Sequence, residues 1–197
     1  EYEPLASAES FTAPVTIGLL RPSDAEDHIR DLIDDDPSDE LVQLGRKIEN
    51  LDIISQLAQD GVDFSGVTGD VSLWDEFREQ LGRENHPDDG TRSGDDVIER
   101  LTAYATEAIE DQSDGLNIFS VGTSQDWIDR RLINKGVIEV ATDRPGNRKY
   151  RFRHLDFQRY LYAWNAVQEN RTIQEVTSQL DERLGKDVFR FMLILYM

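Results

Sequence analysis

The sequence contains no cysteine, which excludes disulfides, thiolate nucleophiles and thiolate metal sites in this chain of 197 residues. Basic charge is scarce: four lysines and seventeen arginines face forty acidic side chains, leaving a formal net charge of −19. The histidines His28, His86 and His154 have no H-x-x-x-H spacing, so a zinc motif is absent. No apolar run approaches the roughly 20 residues that span a bilayer, and no signal peptide opens the chain, so a cytoplasmic location is expected. A G-x-x-x-x-G-K-[ST] loop, a hydrophobic strand ending in paired acids and a G-x-S-x-G elbow are all missing. These residues alone therefore cannot hydrolyse a nucleotide, and serine-triad chemistry has no support. "DDDPSDE" (34–40) lacks the turn glycine and distal glutamate of a calcium loop and reads as a solvated helix end.

What is present is just as uneven. Asp outnumbers Glu and Arg far outnumbers Lys, a surface that holds water and cations and suits the high-salt cytoplasm of a halophile, the alternative being an ordinary acidic soluble protein. Hydrophobic residues make up 38% and recur periodically, so the chain can bury a core. It begins at Glu1 and closes on "VFRFMLILYM", and a piece of a longer protein is the expectation.

"APVTIGLL" (13–20) is β-prone. "SDAE" (23–26) suits a capping box with Ser23 at the N-cap and Glu26 reaching back, followed by Ile29, Leu32 and Ile33 at helical spacing. Residues 37–61 read as one or two helices stopped by Gly61, and 72–81 as a short one. Residues 82–96 lack periodicity and read as a loop. Residues 96–112 are amphipathic, with Val97, Leu101, Tyr104, Ala105 and Ile109 on one face. A helix is predicted over 123–136, with Trp127, Ile128, Leu132 and Ile133 inward and Gly136 at its C-cap. Strands 137–142 and 149–154 follow, joined by a loop marked by Pro145-Gly146. Helices are predicted over 155–170 and 172–185, and the closing run begins another. The fold class is mainly α with a small β-hairpin.

Residues 130–153 hold Arg130, Arg131, Lys135, Arg144, Arg148, Lys149, Arg151 and Arg153 against only Glu139 and Asp143. Such a basic window in an acidic chain attracts an anionic partner or pairs with the neighbouring acidic helices. His154 closes it. Tyr160, Tyr162 and Trp164 sit at helical spacing and read as core.

"YRFRHLDFQRYLYA" resembles the end of the winged-helix domain in NACHT-type signalling NTPases of the STAND class. The family pattern is an aromatic, F-x-H, two residues, then F-Q-E-Y-hydrophobic-A. It falls here on Tyr150, Phe152, His154, Phe157, Gln158, Tyr160 and Leu161, with Ala163 one place late and Arg159 where the family has glutamate. The resemblance implies residues 1–22 as the end of the nucleotide-binding core and 23–112 as a helical lid. It implies 113–170 as the winged helix and 171–197 as the start of a C-terminal helical region. It further implies ADP or ATP with Mg in the parent protein, His154 on the β-phosphate with Arg153 beside it, and Leu51 over the base in place of the usual lid proline. A histidine donating to a phosphate contributes about 1.5–3 kcal/mol, a ten- to hundredfold bias toward a closed state. The implied partners are the upstream nucleotide-binding core and further copies on activation, as in defence signalling, and no membrane.

Two other readings compete. A DNA-binding winged-helix regulator would place Arg130, Arg131 and Lys135 of a recognition helix (124–135) on phosphates, with 143–149 as the wing; Asp126, Asp129 and the net charge oppose it. A ligand-free helical scaffold is the third.

Overall fold

The computed structural model describes residues 18–33, 35–83, 94–110, 132–144 and 147–197. Among them are eight α-helices and one two-stranded antiparallel sheet, the fold class read from the sequence. The helices are α1 Pro22–Arg30, α2 Asp39–Gly45, α3 Ile48–Gln59, α4 Asp70–Arg83 and α5 Gly94–Glu110, followed after the hairpin by α6 Leu155–Gln168, α7 Ile173–Thr177 and α8 Glu182–Leu195. The hairpin pairs β1 Ile138–Arg144 with β2 Asn147–Phe152.

Local chemistry explains most boundaries. The expected Ser23 cap is not used: Arg21 is the N-cap residue, Pro22 occupies the first turn, and Arg21 pairs with Asp24 at 2.9 Å. Proline's fixed φ suits a first helical residue, and it starts the helix ahead of the serine. Ser38 caps α2 by accepting from the Leu41 N–H. The segment 37–61 resolves into two helices rather than one. At Gly61 (φ +74°) the Gly61 N–H donates to the Ala58 carbonyl and the Val62 N–H to that of Leu57, a Schellman ending. Gly136 (φ +65°) ends the helical turn before β1 in the same way, through Gly136 to Ile133 and Val137 to Leu132. Asn170 does so beyond α6.

Two further predicted boundaries differ from the structure. The amphipathic segment begins at Gly94, not Asp96, although its predicted inward face is buried throughout. The single helix expected over 172–185 is broken. Thr172 and Glu175 form a capping box for α7, and Asp181 restarts the chain as α8 by accepting from the Arg183 and Leu184 N–H groups. The closing apolar run is the body of α8. Of the predicted β-prone run 13–20, loop 82–96 and helix 123–136, residues 13–17, 84–93 and 123–131 lie outside the described residues; 18–20 form no strand, and the ends of the predicted loop belong to α4 and α5.

One hydrophobic cluster runs from Ile29 of α1 to Met192 of α8. Its centre is α6, whose Phe157, Tyr160, Leu161, Tyr162, Ala163 and Ala166 are all buried. α6 packs on α4, α5, α8 and β2. Among the described residues no helix is long and apolar enough to cross a membrane.

Candidate functional site

β2 alternates in and out, with Tyr150 and Phe152 buried and Arg151 exposed. The ladder extends one step further, where the Arg153 N–H donates to the Val137 carbonyl at 3.0 Å. The same alternation puts Arg153 outside and His154 inside. His154 is then the N-cap residue of α6, in extended backbone geometry and without a side-chain cap. The expected strand thus ends at Phe152, and His154 sits at the seam rather than in the sheet.

The His154 side chain is only 4% exposed, and neither ring nitrogen has a hydrogen-bond partner. The Trp74 ring of α4 packs on it at 5.9 Å between centroids, and Phe157 stacks beside Trp74 at 5.6 Å. The nearest charged group is Asp52 of α3, whose Oδ2 lies 3.5 Å from Nε2, close but too long to count as a hydrogen bond. That same oxygen is 3.4 Å from Arg153 Nη2. Burial is the main influence on His154 and pushes its pKa below the ordinary value, with Arg153 adding to it and Asp52 and Glu49 pulling back. The imidazole in this fold is therefore neutral near pH 7.

The structure brings together two of the three sequence-predicted binding residues, His154 and Arg153. Leu51 is half-buried on α3 and its Cδ1 turns toward Gly45, 3.4 Å from where a Cβ on that glycine would stand. It packs against the core and is a contributor to it. Sequence reasoning missed Asp52 and Trp74 as neighbours of His154. The one available signal for Asp52 was a charge set inside the apolar run Leu51–Ile54.

Two other polar clusters border the core. Asp70 accepts from Lys47 (2.9 Å) and from the buried Asn50 amide (3.0 Å), with Arg190 of α8 at 3.6 Å. Burial opposes its ionisation, yet these partners outweigh that and hold its carboxyl below the usual range. Arg159, which stands where the resemblance expects glutamate, pairs with Asp156 at 2.9 Å and with Asp187 of α8 at 3.2 Å.

Of the basic window, Arg151 pairs with Glu139 across the hairpin and Arg153 with Asp52 of α3. Arg130 and Arg131 lie outside the described residues. Among the described residues no group of three or more acidic or histidine side chains is arranged to hold a metal ion. Comparison with known proteins finds no matching family model, no similar curated protein and no similar solved structure.

Proposed function

We propose that this chain is the lid and winged-helix part of a NACHT-like signalling ATPase, which closes over bound ADP or ATP and controls a closed-to-open oligomerisation switch. The observation that carries the reading is the burial of His154 with both ring nitrogens unpartnered. An orphaned buried imidazole costs about 1–3 kcal/mol, and such a group calls for a partner. A phosphate oxygen is a partner of the right kind, and Arg153 beside it adds a positive charge. The donor set fits the anion of a nucleoside diphosphate.

The other residues of the motif support the same reading. Tyr150, Phe152, Phe157 and Tyr160 are buried and hold the seam rigidly, which a latch requires. When bound, ADP would supply the negative charge that His154 and Arg153 receive. The chain's own contribution is to orient the imidazole between Trp74 and Asp52 and to exclude water from it. The upstream nucleotide-binding core, Mg and further copies of the protein are the partners this reading requires. Pairing of Arg151 and Arg153 with carboxylates of this chain weighs against DNA as their target.

The test is the nucleotide content of the full-length protein, purified with and without His154→Ala. Native protein is expected to carry ADP and the variant to lose most of it. Native protein without nucleotide, or a variant that keeps it, would sink the reading.

A further inference from the structure

We propose that the Asp52 carboxylate is an internal occupant of the anion site formed by Arg153 and His154, which a phosphate ligand enters by displacing it. The inference rests on the functional reading above and adds a built-in competitor to it.

A single oxygen, Asp52 Oδ2, faces both groups, at 3.4 Å from Arg153 Nη2 and 3.5 Å from His154 Nε2. It comes from α3, a different part of the chain from the groups it faces. Both distances are long for charge-assisted bonds, and the His154 nitrogens remain unsatisfied. Asp70 shows what a structural carboxylate looks like in this fold, with bonds of 2.9 and 3.0 Å to Lys47 and Asn50. Asp52 is held far more loosely.

The layering has a consequence for access. Asp52 and Arg153 are 35% and 48% exposed, whereas His154 is 4% exposed. The two more exposed side chains stand outside the buried imidazole, with the Asp52 oxygen directly against its Nε2. The proposed entry route is rotation of the Asp52 side chain, whose backbone stays in α3. Gln56, one turn on, already donates weakly to the same oxygen at 3.4 Å and can follow it. The charged groups facing His154 are Asp52 and Glu49 from α3 and its own neighbour Arg153; α4 offers the Trp74 ring. A pyrophosphate group carries more charge and more oxygens than one carboxylate, and so can satisfy Arg153 and His154 together.

A ligand that must displace an internal competitor binds with an affinity reduced by the fraction of time the site is free. Asp52→Asn keeps the side-chain shape and removes the competing charge. Binding of inorganic pyrophosphate to this 197-residue chain is expected to tighten about tenfold in that variant. The His154 ring signal in 1H–13C NMR should shift on saturation, and Asp52→Asn combined with His154→Ala should lose the gain. Glu49→Gln, which removes the same charge nearby, should give a much smaller gain.

Several outcomes overturn the inference. Equal pyrophosphate affinity in native and Asp52→Asn chains, with the His154 signal moving in both, leaves the anion site standing without a competitor. Equal gains from Glu49→Gln and Asp52→Asn reduce the effect to net charge. Binding of ADP without pyrophosphate places recognition on the base. A His154 signal that responds to neither probe removes the anion site itself, and the ADP content of the full-length protein then decides separately whether the functional reading falls too.

Discussion

Tyr160 of α6 donates its hydroxyl hydrogen to Asp75 Oδ1 of α4 at 2.6 Å, and Arg78, one turn further along α4, donates to the same phenol oxygen at 3.2 Å. Arg78 also bridges to Asp75 at 2.8 Å and lies over the Trp164 ring at 4.9 Å. This knot ties α4 to α6 through charged hydrogen bonds at the edge of the core. Burial is the first cause that raises the Tyr160 pKa, and the neighbouring Asp75 raises it further, so the phenol stays protonated throughout the physiological range. Tyr160→Phe keeps the buried ring and removes the donor, with an expected loss of about 1.5–3 kcal/mol. Urea denaturation measures it, and a loss below about 0.5 kcal/mol would show the bond to be ornamental.

Asp70→Ala should cost a comparable amount, about 1–3 kcal/mol, because the Asn50 amide, in a residue only 2% exposed, loses one of its two acceptors. The native carboxyl lies below its ordinary value, so the stability it contributes is present above the unfolded value near 3.8 and is lost as pH falls through the lower folded value. Acid titration of native and Asp70→Ala proteins should therefore diverge least at the acid end. A gap that stays constant with pH would contradict the assignment.

Gly61 and Gly136 both adopt left-handed φ values, and an alanine at either position should cost about 1–2 kcal/mol in backbone strain. They differ in surroundings. A Cβ at Gly61 meets nothing within 4 Å, whereas one at Gly136 would stand 3.2 Å from Arg153 Nη1. Gly136→Ala is thus expected to disturb the Arg153–Asp52 contact as well as stability. The readout is the His154 ring NMR signal, which should shift in Gly136→Ala and stay in place in Gly61→Ala.

His154 makes the fold sensitive to mild acid. Unfolded, the imidazole takes up a proton near pH 6.5, while burial keeps it neutral in the fold at that pH. The unfolded chain thus binds more protons as pH falls below 6.5, and stability present above that pH is lost progressively toward the lower folded value. Denaturation at pH 7.5 and 5.5 should show a larger drop for native protein than for His154→Gln. Identical drops would mean that His154 is accessible to protons in the fold.

Arg159→Glu installs the residue that the motif resemblance leads one to expect. It would face Asp156 and Asp187 with like charge, and a loss of about 1 kcal/mol is expected for this partly exposed cluster. Asp187→Arg in the same background should recover most of it. No recovery would mean that the α6–α8 pairing contributes nothing.

The sequence disclosed what short-range periodicity encodes. The inward face of α5, the alternation that buries Tyr150 and Phe152, and the glycine endings at Gly61 and Gly136 are all visible in local spacing. The break between α7 and α8 was not, because helical spacing of apolar residues continues across it while Thr172 and Asp181 each offer a separate cap. The start of α1 was misplaced for a similar reason, since Ser23 and Glu26 match a capping box that Pro22 pre-empts. His154 and Arg153 were singled out through the motif. Asp52 and Trp74 reach them from other helices, and no local pattern encodes which helix packs against a strand end.

The burial of the middle of α6 has a bearing on how this molecule opens. The buried residues between Phe157 and Ala166 pack under α4, α5, α8 and β2, so their amides exchange with solvent when those neighbours separate. Protection in α6 should match the free energy of global unfolding, while α7 and the C-terminal end of α8 exchange through smaller openings. Hydrogen exchange would then see the middle of α6 and the faces of α4, α5 and α8 packed on it open together.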